Sequence, residues 1–196
     1  VRADAGAPLT DSTAILQWAD AQAPAERRLY PADAAARAET DAVEEELDET
    51  LGPATRPSAY AHGLADRPML RALVAPAFPR WRDRALLALI LPAVGPLIGR
   101  YYGARLDAVA GAEAVVTEGF ARASARLAKT HYLAGARFGA ADLTFATLGG
   151  AILMLPENRY MRHDLPFPPH MRAFIDRMRA TRAGAHAARC YREHRR

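Results

Sequence analysis

The chain has little from which to build a covalent or metal-held cross-link. Cys190 is its one cysteine, so no disulfide can form within it, and a reducing cytoplasm is the natural expectation. The histidines, His62, His131, His163, His170, His186 and His194, are scattered without the two- or three-ligand spacing of a zinc site, and no metal is expected. β-branched residues are few while alanine, leucine and arginine dominate, which favours helix over sheet through most of the 196 residues. Long apolar runs are missing too. The longest, 85–99, is broken by Pro92 and Pro96 and falls short of the roughly 20 residues that span a bilayer, so no membrane role is expected. The first ten residues lack the apolar stretch of a secretory signal. Lysine is nearly absent, Lys129 being the only one, and arginine supplies the rest of the positive charge behind a net +4. Arginines gather near the end, from Arg172 to Arg196, but acidic residues are interspersed and no aromatics are interleaved as stacking platforms. That stretch reads as a solvated helix face, not a nucleic-acid surface.

Hydrophobic residues make up 51% of the chain and charged ones 24%, enough for one or two small domains with a real core. An acidic residue and a serine, Asp11-Ser12, precede the apolar positions Ile15, Leu16 and Trp18, a pattern that starts a helix. A linker follows over 24–31, with Pro31 at a favourable first-turn position of the next helix. That helix is expected over 32–51, with Ala35, Ala38, Ala42, Val43, Leu47 and Leu51 towards one face, and Gly52-Pro53 ending it. Glu44-Glu45-Glu46 reads as its solvated face. Further helical segments are expected at 56–75, 79–91, 96–129 (interrupted near Gly111), 139–155, 171–179 and 185–196, with 139–155 the most apolar and central. No nucleophile-elbow pattern supports a Ser-His-Asp set. Cys190 lies among arginines that can lower a thiol pKa, but packing as a small apolar residue is the better reading.

Two stretches carry a family resemblance. Asp11-Ser12-Thr13-Ala14-Ile15-Leu16-Gln17-Trp18 resembles the end of the glutathione-binding half of glutathione transferases. Downstream, Tyr132-Leu133-Ala134-Gly135 followed by Phe138-Gly139-Ala140-Ala141-Asp142-Leu143 is similar to the segment that opens the central helix of that family's all-helical domain. The resemblance implies a mainly α protein, with an all-helical C-terminal domain at 31–196 preceded by a remnant of a thioredoxin-like α/β domain at 1–24. It implies glutathione as co-substrate, a small apolar electrophile, a homodimer and a role in detoxification. Asp11 and Ser12 match the residues that hold the γ-glutamyl group: Asp11 pairs with its ammonium, while the Ser12 hydroxyl and N–H receive its carboxylate. Tyr60, Trp81, Tyr101 and Tyr102 are candidates for an electrophile pocket. The family's thiol-activating Tyr, Ser or Cys lies in a strand–helix–strand unit ahead of the motif, for which ten residues leave no room. The chain as given is therefore expected to be inactive, with its catalytic residue unknown and expected in the missing N-terminal segment. The alternative is a non-catalytic binding or assembly module of the same fold. Asp142 matches a capping-box aspartate. Gly139 stands where the family has a Ser or Thr, so a serine at 139 is expected to stabilise the helix start.

Overall fold

The computed structural model describes residues 9–77, 80, 82–83, 85–86, 89–90, 106–159 and 161–195, with side chains at all of these except 56–65, 67, 74, 77 and 106–108. Helix α1 (Ser12–Gln22) opens where the sequence places it, with Asp11 as N-cap: its Oδ1 accepts from Ala14 N at 2.9 Å. One 3-10 turn (Ala25–Arg27) leads to α2 (Ala34–Ala65). Pro31 lies ahead of α2 and not in its first turn. Asp33 starts the helix instead, its Oδ1 accepting from Ala36 N at 2.8 Å, an orphan donor that a proline cannot satisfy.

Gly52-Pro53 does not end α2, which runs on as one 32-residue helix. A proline inside a helix costs about 3 kcal/mol, but here core contacts flank it on both sides. Leu51 is buried before it, Ala54 and Thr55 after it, and exposed Pro53 turns its ring to solvent. The break comes at Asp66, whose Oδ1 accepts from Met69 N at 2.7 Å to start α3 (Arg67–Val74). The early alanines Ala35, Ala38 and Ala42 are also off the core-facing stripe. That stripe runs through Thr40, Val43, Glu44, Leu47 and Leu51, so Glu44 is buried and not on a solvated face.

Helix α4 (Leu106–Leu127) passes through Gly111 without interruption. The apolar α5 (Ala140–Leu153) is central as expected, with nine of its fourteen residues buried. Its last carbonyls are satisfied from outside: Arg179 at the end of α6 (Pro169–Arg179) donates from Nε to Leu153 O at 2.7 Å and from Nη2 to Met154 O. Helix α7 (Arg182–Glu193) starts three residues earlier than the sequence suggests, because Thr181 Oγ1 accepts from Gly184 N at 2.9 Å.

Among the described residues there is no strand, and the first eight residues of the thioredoxin-like remnant expected at 1–24 lie outside them. The long α2 is the spine, packing on both α4 and α5, with α7 closing the core against α4 and α5. Val43, Leu47 and Leu51 of α2 meet Val116 and Phe120 of α4, Phe145 and Leu153 of α5, and Ala187 and Cys190 of α7. Phe120 and Phe145, both fully buried, pair with centroids 5.2 Å apart and planes tilted by 57°. A smaller cluster of Met69, Met154, Leu165, Phe167, Met171 and Ile175 joins α3 to α6.

Candidate functional site: the start of helix α1

Ser12 is the first residue of α1, so its N–H and that of Thr13 belong to the unpaired first turn, at the positive end of the helix dipole. The Asp11 carboxylate is engaged by Ala14 N and lies at the surface. Ser12 and Thr13 edge a cavity of about 200 Å³ together with Glu44 and Asp48 of α2 and Leu143, Thr144 and Thr147 of α5. The site is therefore built from three helices. Thr13 Oγ1 donates to Asp48 Oδ2 at 3.1 Å, which fastens the start of α1 to α2. Thr144 Oγ1 donates to Glu44 Oε1 at 2.9 Å, which fastens α5 to α2.

Glu44 is only 2% exposed. Burial pushes its carboxyl above the ordinary value, while the Thr144 hydroxyl acts the other way. Burial likewise raises the Tyr30 hydroxyl, which faces Glu44. Neither Tyr30 Oη nor Glu44 Oε2 reaches hydrogen-bond geometry with a partner among the described residues. Sequence reasoning missed Glu44, Thr144 and Asp48. The signal available was the 3.6-residue spacing from Thr40 through Glu44 to Leu47 and Leu51, which puts Glu44 on the buried stripe.

Asp142 is a structural hub. It is fully buried, and its Oδ2 accepts from Gly139 N at 3.1 Å as the half capping box requires. Its Oδ1 accepts from Leu133 N at 2.9 Å and lies 2.8 Å from His186 Nε2. Gly139 has a second reason to be glycine: a Cβ there would sit 2.9 Å from the Leu29 carbonyl oxygen, which already accepts from Ala140 N at 3.2 Å. The expected benefit of a serine at 139 is therefore overturned by a backbone collision.

Asp142, His186 and Cys190 superficially form a catalytic set, since Cys190 Sγ is 3.5 Å from His186 Nε2. Both partners lie on the same imidazole nitrogen, whereas a relay needs them on opposite ones. His186 Nδ1 faces Arg189 Nη2 at 2.8 Å, so it accepts while Nε2 donates to Asp142. Burial and the Asp142 carboxylate push the Cys190 thiol up to about 12, against the pull of Arg189. Cys190 is thus core, as the packing reading expects.

Tyr60 lies within α2, but its side chain, and all of Trp81, Tyr101 and Tyr102, fall outside the described residues. Among the described residues no group of His, Cys, Asp and Glu is placed to hold a metal ion, and no helix is long and apolar enough to cross a membrane. No protein-family model, curated protein or solved structure matches the chain.

Proposed function

We propose that this is a glutathione-transferase-like protein, cytoplasmic and homodimeric, whose α1 N-terminus holds the γ-glutamyl end of glutathione. In an enzyme of this kind the glutathione thiolate attacks an apolar electrophile, an S–C bond forms and the leaving group departs with its electron pair. One observation carries the reading: Ser12 and Thr13, in the first turn of α1, edge a cavity that Asp48 and Glu44 of α2 also line. A zwitterionic amino-acid end fits that pairing, its carboxylate at Ser12 and its ammonium towards the acids.

The second reading is a non-catalytic binding module, which would hold glutathione by this same end without turning it over. Calorimetric titration with glutathione tests the binding: Ser12→Ala should weaken it by about 1.5–3 kcal/mol, the range for a hydrogen bond to a charged group. Unchanged affinity in the folded variant overturns the assignment. An assay with glutathione and a reactive aryl halide separates the readings, since saturable turnover abolished by Ser12→Ala excludes the module.

A further inference from the structure

A second cavity, of about 510 Å³, adjoins the first across Leu143 and Thr147, which stand one turn apart on α5 and line both. Its volume lies within the roughly 300–1,000 Å³ of small-molecule sites. Leu29, Phe138, Ala146 and Met161 give it apolar walls, and Cys190 adds a thiol that burial keeps protonated. Phe138 and His194, both part of the lining, stack with centroids 4.0 Å apart.

Tyr191 of α7 brings a hydrogen-bond donor to this lining. Its Oη accepts from Asn158 Nδ2 at 3.1 Å, and the Asn158 amide is fixed that way round because its Oδ1 accepts from Arg195 Nη1 at 3.3 Å. Accepting uses only one side of a hydroxyl, which also has a proton to give. No acceptor among the described residues takes the Tyr191 proton. Burial raises the hydroxyl above its ordinary pKa, against the pull of Arg195, so the proton stays in place at neutral pH. Tyr191 is thus a donor without an acceptor, on the wall of a largely apolar chamber. A neutral acceptor on a ligand completes that bond without bringing the desolvation cost of a charge.

We infer that this cavity binds a small uncharged apolar compound with one carbonyl group, its body against Leu29, Phe138, Ala146 and Met161 and its carbonyl oxygen accepting from the Tyr191 hydroxyl. The site does not rest on the glutathione reading, and Ser12→Ala should leave it intact.

Benzophenone is a suitable probe, with diphenylmethane, which lacks the oxygen, as its counterpart, each titrated calorimetrically into the full chain. Isotope labelling of the methionine methyls locates the ligand, because Met161 is the only methionine among the lining residues and its signal is assigned by its loss in Met161→Leu. Benzophenone should bind and move the Met161 signal. In the unaltered protein the carbonyl stretch of bound, isotope-labelled benzophenone should lie below its frequency in hexane, the mark of an accepted hydrogen bond. Tyr191→Phe keeps the ring and removes the donor. It should abolish that shift, weaken benzophenone about fivefold, as for one neutral hydrogen bond, and leave diphenylmethane unchanged. Absent benzophenone binding, an unmoved Met161 methyl or a hexane-like carbonyl stretch in the unaltered protein would each overturn the proposal. Equal losses of the two ligands in Tyr191→Phe would do the same, by reducing Tyr191 to a packing residue.

Discussion

Asp142 supports far more than a helix cap. Its two oxygens serve the N–H groups of Leu133 and Gly139 and the imidazole of His186. Removing the carboxylate strands three buried donors, so Asp142→Ala should cost about 3–5 kcal/mol, the cost of breaking a buried polar pair, against the roughly 0.5–2 kcal/mol of a lone cap. Urea unfolding measures the difference. The local half of this role was legible in the sequence, since Gly139 and Asp142 are three residues apart. The His186 half was not, because nothing in a single chain announces a contact across 44 residues. Gly139→Ser should be destabilising by about 1–3 kcal/mol, the range for forcing extra atoms into a packed site; a raised melting temperature would mean that the Leu29 carbonyl moves aside. Glu44 gives a pH signature. Its folded carboxyl lies above the unfolded value near 4.5. Below that value both states hold the proton and burial costs nothing. As pH rises past it the unfolded chain loses its proton first, so stability falls until Glu44 ionises in the folded chain too. Glu44→Gln should therefore be more stable than the parent at neutral pH, with a smaller loss between mildly acidic and neutral conditions, read from melts across that window.

At the scale of elements, helix existence was legible and helix ends were less so. The interiors of α2, α4 and α5 follow from alanine and leucine content and from apolar spacing, which act over many residues at once. Their ends depend on which polar side chain reaches which free N–H. Pro31 and Gly52-Pro53 are strong local signals that Asp33 and the core overrode. Alanine misled in a further way, for Ala35, Ala38 and Ala42 satisfy a helical period yet weigh little in deciding which face is buried. The tolerance of α2 for Pro53 can be measured. Pro53→Ala restores a backbone donor and removes a clash of about 3 kcal/mol, offset by roughly 0.4–1 kcal/mol because the unfolded chain gains freedom and by whatever bend the helix already has. Net stabilisation of about 1–2 kcal/mol is expected; a destabilised variant would show that the proline itself helps to seat Ala54 and Thr55.

For the molecule as a whole, the described elements differ sharply in how they are held. Helices α2, α4, α5 and α7 share one continuous core, and the α3–α6 cluster adds a second. Helix α1 contributes no buried residue to either. Side-chain bonds fasten it at both ends, Thr13 to Asp48 near its start and Asp20 Oδ1 to the Leu29 N–H after its end. Partly buried hydrogen bonds of this kind contribute about 0.5–1.5 kcal/mol each, a small part of the stability of a folded domain. The candidate glutathione subsite thus lies on the element with the weakest attachment, while its acidic wall belongs to the rigid spine. Hydrogen exchange should separate the two: α1 amides should exchange through local opening, with protection well below that of α5 amides, which need global unfolding. Saturating glutathione bridges Ser12 to that wall on the proposed reading, so it should raise protection across α1 and leave α5 nearly unchanged. Protection of α1 equal to that of α5 without ligand would make α1 part of the core unit. Protection unmoved by glutathione that binds elsewhere would remove the Ser12 subsite from the functional argument.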